Sequence, residues 1–412
     1  MVFMLKVFIK GVCVSSLSLV LLSACNSGTT VSSPIVTKNE EKPASIAVTD
    51  TPTHLGAAGT LINPTPSDVP PTTTKDPSAT PEPTPTPSWV GPEDFPEGVN
   101  PLTGLEVDDP SKMERRPVLL KVSNYPAYLR PHSGLSYADM VFSYFIGVGM
   151  TRYLALYYGQ DVTQVGPMRS GRLIDPQIVN LYGGFLGMVG ADKTVWAEIA
   201  QDLPGRFLTE MPVNCPALCS DGYGNAFGNT GAFTERVREL GLDDQRPELS
   251  GMVFDTHIPQ DGAEAKNLWL YISYYNQVGW DYAPEMGAYL RSQEEAQPDG
   301  TVELKPMTDR LTGEQLAFHN VVILFAWHKT IKPELIDIEI QSVEGGSALL
   351  FRDGQVFKMT YTAVSPFTPL RFYDLDGDPI AFKPGNTWVE IVGLGTTMEE
   401  LEPGDWKVRF YP

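Results

Sequence analysis

Met140-Val141-Phe142-Ser143-Tyr144-Phe145, the turn Gly147-Val148-Gly149-Met150-Thr151, and Arg152-Tyr153-Leu154-Ala155-Leu156-Tyr157-Tyr158 read as two strands joined through glycine. β-Branched and aromatic residues dominate both runs, as they do on a pleated surface. A third strand is predicted over Val118-Leu119-Leu120-Lys121-Val122. Helical spacing follows. Asp175-Pro176 offers an N-cap and a first-turn proline ahead of Ile178, Val179, Leu181 and Tyr182. Val195, Trp196, Ile199 and Leu203 keep the same period, as do Phe233, Val237 and Leu240 before Gly241.

Beyond Gly251 the texture turns to β, with candidate strands at 252–256, 268–275, 321–326, 336–343, 348–352, 356–362, 387–392 and 406–411. Turns such as Asp353-Gly354 and Asp376-Gly377 separate them and favour antiparallel pairing. The expected fold class is α+β: a mixed α+β domain over 97–250, then a mostly antiparallel β domain over 251–412.

Residues 26–96 are of another kind. Thr, Ser and Pro dominate, ending in Thr80-Pro81-Glu82-Pro83-Thr84-Pro85-Thr86-Pro87. Such a composition cannot bury enough apolar surface to offset chain ordering, so it reads as a disordered stalk. If largely extended, its reach is on the order of 100 Å. Ahead of it, Lys6 and Lys10 precede an apolar run that closes on Leu22-Ser23-Ala24-Cys25. A charged start, an apolar middle and small residues describe a secretory signal over 1–25, and the cysteine after Leu-Ser-Ala resembles a bacterial lipobox. That resemblance implies cleavage before Cys25 and a lipid on its thiol. The run is short of the roughly 20 residues a bilayer span needs.

Of the 412 residues, 30 are Lys or Arg and 50 are Asp or Glu, for a formal charge of -20. This acidity argues against nucleic acid, whose binding rests on cationic contacts to phosphate. It argues equally against docking on anionic lipid through a basic patch. Cys215 and Cys219 remain for the folded part. Outside the cytosol so close a pair is read as a local disulfide, with free thiols and a metal site as alternatives. Zinc would need two further nitrogen or sulfur ligands, and no second cysteine pair supplies them. No cofactor is implied.

Several ordered motifs resemble the YerB-like bacterial lipoproteins. In the first half they are Arg130-Pro131-His132-Ser133-Gly134-Leu135, Ala138-Asp139-Met140-Val141, Thr151-Arg152 and Gly166-Pro167-Met168-Arg169-Ser170-Gly171-Arg172. In the second they include Val278-Gly279-Trp280-Asp281-Tyr282, Thr312-Gly313-Glu314-Gln315-Leu316, Phe372-Tyr373-Asp374-Leu375-Asp376-Gly377 and Pro384-Gly385-Asn386-Thr387-Trp388-Val389. The resemblance implies a two-domain, membrane-anchored lipoprotein and no particular mechanism. The chain departs from the family's pattern at three places. Ser143 stands where members tend to carry Glu, Val189-Gly190 where many show His-Gly, and Gly228-Asn229 where they show His-Asn. Missing acids and bases argue against catalysis here.

Arg169, Ser170 and Arg172, with Arg152, are the candidate ligand-binding residues. Two guanidiniums three residues apart with a hydroxyl between them suit a carboxylate or phosphate. A following helix start would add free N–H groups. The structural alternative is that these arginines brace the fold against Asp139, Asp175 or Asp192. Other constellations are thinner. His132 and Asp139 with Ser133 or Ser136 lack a nucleophile elbow. Asp374-Leu375-Asp376-Gly377-Asp378 reads as a turn before it reads as a calcium loop. Trp280, Tyr282 and Tyr289, with Tyr271, Tyr274 and Tyr275, are core or a sugar platform, core being favoured.

The expected function is therefore a non-catalytic binding module, membrane-anchored through its N-terminal lipid, for an anionic cell-envelope polymer or a protein partner, with an envelope glycan or envelope protein as the expected partners. An envelope glycan hydrolase or transferase would need Asp139 paired with Asp192 or Glu198 across a cleft. A third reading is a structural assembly factor for membrane proteins.

Overall fold

A computed structural model describes residues 89–412 apart from 223, 224 and 365. Cys25, the signal segment and residues 26–88 of the expected stalk lie outside them. Of the expected stalk, residues 89–96 are described. Val90 already exchanges both backbone hydrogen bonds with Phe254, each 2.8 Å long.

The first half supplies β1 (Val118–Ser123), β2 (Met140–Gly147), β3 (Met150–Tyr157), α1 (Asp175–Leu181), β4 (Phe185–Met188), α2 (Lys193–Asp202), β5 (Phe207–Thr209) and α3 (Thr230–Glu239). Capping explains two of the helices. Asp192 accepts from the Thr194 amide at 3.0 Å, and Asn229 from the Ala232 amide at 3.0 Å. β3 pairs antiparallel with both β1 and β2, while β4 joins β1, and β5 joins β4, in parallel. All six residues of β1 are buried. A strand covered on both faces reads as a continuous apolar run, which is why alternation is missing here.

The sheet does not stop at the sequence boundary placed at 250/251. β2 pairs in parallel with Thr387–Gly393, which pairs in parallel with Asn320–Lys332. Ser342–Arg352, Gln355–Ala363 and Arg371–Tyr373 follow, antiparallel, toward the far edge. One of β2's two partner strands thus lies more than 240 residues downstream, across the boundary placed at 250/251. A second, seven-stranded sheet is built around Asn267–Ser273, Asn276–Ala283 and Ala288–Ala296.

Each face of the large sheet has its own core. Leu119, Phe142 and Leu154 pack with Ile178 and Val179 of α1 and with Val195 and Ile199 of α2. Val118, Leu120 and Val122 point the other way, toward Phe233 and Val237 of α3 and toward Leu268, Leu270 and Trp280 of the second sheet. The fold is α+β, with more strand than helix.

Candidate anion-binding site

β1, β2, β4 and β5 run in one direction and β3 opposes them, so one sheet edge collects Ser123, Gly147 and Met188 together with the start of β3. Register fixes what faces α1 and α2 at this edge. Ser123 lies opposite Arg152, and Arg152 opposite Tyr144; one step inward, Lys121 lies opposite Leu154, and Leu154 opposite Phe142. The apolar layer therefore ends in a polar one.

Lys121 is fully buried. Its ammonium donates to the Tyr144 hydroxyl, and lies 3.2 Å from Asp175 Oδ1 and 4.0 Å from the Tyr144 ring centre. Tyr144 in turn donates to Asp175 Oδ1. The other carboxylate oxygen accepts from the Arg172 backbone amide at 2.7 Å. Burial, reinforced by the charges of Arg172 and Arg152 and opposed by Asp175, pulls the Lys121 ammonium down to about 7. Burial and Asp175 push the Tyr144 phenol well above its usual range.

The loop ahead of α1 forms the rim. The Ser123 amide donates to Pro167 O at 2.8 Å and the Arg169 amide to Lys121 O at 3.0 Å; on the β4 side the Gly171 amide donates to Gly190 O at 3.0 Å. Glycine at 171 lets the loop pack closely here, since a Cβ would lie 2.7 Å from both Ile199 Cδ1 and Met188 Sδ and would push these side chains aside. Arg152 Nη1 and Arg172 Nη1 both donate to Ser170 O, at 3.2 and 3.4 Å; Arg172 Nη1 also reaches Gly171 O at 2.9 Å, and Arg169 Nη1 reaches Met168 O at 2.8 Å. The Nε atoms of Arg152 and Arg172 are buried without a partner among the described residues. Burial, and then the charges of Arg172 and Arg169, lower Arg152 to about 9.

None of the three guanidiniums forms an ion pair among the described residues. The carboxylates expected to brace them are engaged elsewhere. Asp139 accepts from Asn100 Nδ2 at 2.8 Å and the Tyr158 amide at 2.6 Å, and Asp192 caps α2 and meets Lys332 Nζ at 2.9 Å. Asp175 meets Arg172 through its backbone alone. The expected help from a helix start is absent: α1 has seven residues, its N-cap is Ile174, and Asp175 is its first residue. Clustered like charges held by backbone carbonyls and lacking carboxylates are poised to receive an anion.

The remaining candidates separate. His132 is buried and shares a hydrogen bond with Ser123 O, while Ser133 Oγ donates to Gln164 O at 3.0 Å; neither joins Asp139. Burial, then the charge of Arg130, lowers the His132 imidazole to about 3. Asp139 precedes β2 at the amino edge and lines a cleft of about 420 Å³, whereas Asp192 lies past β4 at the carboxyl edge. An eight-residue strand spans roughly 25 Å, so these two carboxylates cannot flank one glycosidic bond. Asp374 accepts from the amides of Asp376 and Asp378 at 3.0 and 2.9 Å, forming a turn. Trp280 and Tyr289 are core, Tyr271 and Tyr282 are half-buried, and Tyr274 and Tyr275 are exposed on a hairpin. Cys215 and Cys219 form a disulfide with Cα atoms 4.8 Å apart. Sequence reasoning missed Lys121 and Tyr144. The signal was a lone lysine inside an otherwise apolar strand, which demands a buried partner.

Comparison with known proteins adds the family context. Residues 102–213 match the N-terminal domain, and residues 270–389 the C-terminal domain, of the family described as protein of unknown function (DUF3048). The Bacillus subtilis (strain 168) protein named "Putative lipoprotein YerB" is 30% identical over 311 residues, covering 71% of this chain and 85% of that one. The crystal structure of the YerB protein from Bacillus subtilis superposes with a TM-score of 0.58 at 27% identity, over 71% of this chain and 96% of that one. Among the described residues no helix is long and apolar enough to cross a membrane.

Proposed function

Since this chain belongs to the DUF3048 family and resembles a protein named as a lipoprotein, we propose that it is anchored outside the cytoplasm by a lipid on Cys25 and binds an anionic envelope component. The observation that carries the binding role is the convergence of Arg152, Arg169 and Arg172 at the carboxyl edge of the large sheet without a carboxylate of the described residues on any guanidinium. In a chain of net charge -20, such a cluster is selective for a group placed within it, since the rest of the surface repels polyanions. The stalk lets the domain search the envelope at a distance from the membrane.

The role is recognition without turnover. Of the carboxylate pairs that glycan cleavage would need, Asp139 and Asp192 lie at opposite sheet edges, and Ser143, Val189 and Gly228 occupy positions where acids or bases are expected from the resemblance. The test is retention of the full chain on immobilised peptidoglycan or a teichoic-type polymer, against Arg169→Ala/Arg172→Ala. Retention of the first and loss of the second supports the reading; equal behaviour of both removes the site. Mass spectrometry of the mature N-terminus checks the lipid on Cys25.

A further inference from the structure

We propose that the arginine site is built for a phosphate monoester, a terminal phosphate carrying two charges, in preference to the single charge of a phosphodiester or carboxylate. The inference rests on the anion-binding reading above and names its ligand class. Charge comes first. Lys121 and the Arg172 amide share the one carboxylate, Asp175, while Arg152 feels the like charges of Arg172 and Arg169, so a dianion offsets more of the cluster's positive excess than a monoanion does. Donor count comes second. Each guanidinium holds the backbone through Nη1, and the buried Nε atoms of Arg152 and Arg172 lack acceptors. These donors match three acceptor oxygens on one phosphorus better than two on a carboxyl carbon.

Lys121 makes the site responsive to protonation. The groups facing it are Tyr144 from β2, Arg152 from β3, Arg172 from the loop and Asp175 from α1. Two of these are cations that disfavour its charged form, and a bound dianion offsets them. Lys121 therefore takes up a proton as the phosphate binds at pH above about 7. The phosphate itself loses its second charge below a pKa of about 6. Affinity is thus highest between about pH 6 and 7.

The experiment is isothermal titration of the full chain in detergent with glycerol 3-phosphate, bis-glycerol phosphate and galacturonate, in two buffers of different ionisation enthalpy. We expect the monoester to bind at least tenfold tighter than the other two, with net proton uptake at pH 7.5. Arg169→Gln should weaken it at least tenfold with an unchanged melting temperature. Competition by vesicles of phosphatidic acid in phosphatidylcholine identifies a lipid headgroup as a source of the monoester; no competition identifies a soluble or glycan-borne one, and the preference stands in both cases. Equal affinities for monoester and diester overturn the inference. So does Arg169-dependent binding of the diester or carboxylate without the monoester, which leaves the anion-binding reading intact. Binding of none of the three, together with equal retention of wild type and Arg169→Ala/Arg172→Ala on polymer, removes both.

Discussion

Arg152 and Arg172 donate to the same acceptor, the carbonyl oxygen of Ser170, from strands of chain 20 residues apart, and neither guanidinium meets a carboxylate among the described residues. Two like charges brought onto one carbonyl repel each other. The backbone holds them there at an electrostatic cost that an anion would relieve. Binding and stability are therefore in tension at this edge of the sheet, and the predictions below separate the two.

Lys121 and Asp175 are both fully buried, so removing one partner strands the other. Lys121→Met should lower the unfolding free energy by about 3–5 kcal/mol, and Lys121→Met/Asp175→Leu by clearly less. Urea unfolding of the two variants gives the comparison. Equal losses would mean that the pair does not act as a unit.

His132 sets an acid sensitivity. Its folded pKa of about 3 lies below the ordinary value of 6.5, so between these limits the unfolded chain binds more protons. Stability contributed by the neutral imidazole is complete above about 6.5 and is lost as pH falls toward 3. The stability difference between wild type and His132→Gln should accordingly shrink on acidification, by up to about 1.4 kcal/mol per pH unit. Thermal melts between pH 4 and 7 measure it. Asp139 works in the opposite sense, because burial raises its carboxyl to about 6, and serves as an internal contrast.

The two halves of the sequence share a core through Arg291, whose guanidinium lies 4.5 Å from the Trp388 ring centre, 5.3 Å from that of Trp280 and 5.4 Å from that of Tyr153. Residues 97–250 expressed alone lose the parallel partner of β2 and this cluster together. They should show no cooperative unfolding transition and a collapsed amide spectrum. A well-dispersed spectrum would restore the boundary at 250/251.

The disulfide closes a short loop, for which the entropy of closure is worth about 2 kcal/mol. Cys215→Ser/Cys219→Ser should lose roughly that much stability. Reducing agent should produce the same shift in the wild type and none in the variant.

Much of this architecture was legible because burial writes itself into composition. The runs around 118–122, 140–145 and 152–158 and the helix at Asp175–Leu181 follow from apolar patterning, and the helices at Lys193–Asp202 and Thr230–Glu239 from apolar spacing and caps, whereas the N-cap read at Asp175 falls on Ile174. The strand Ala288–Ala296 was not. It buries Arg291, Ser292, Gln293 and Glu294, so its sequence reads as a polar surface. The crossing of β2 to Thr387–Gly393 was hidden for a different reason: a parallel pairing across 240 residues leaves no local signal. At the candidate site the arginines were visible as a motif. Whether Asp139, Asp175 or Asp192 neutralised them depended on where each carboxylate pointed, and only the fold decides that.

The buried Nε–H groups of Arg152 and Arg172 are the donors proposed to meet the anion. Nitrogen–proton spectra of the arginine side chains, recorded on the full chain during titration with poly(glycerol phosphate) and assigned with Arg152→Lys and Arg172→Lys, address that contact most directly. The account predicts saturable shifts of these two resonances and slower exchange of their protons with water. Unmoved Arg152 and Arg172 signals at a polymer concentration where the chain is fully bound would contradict it.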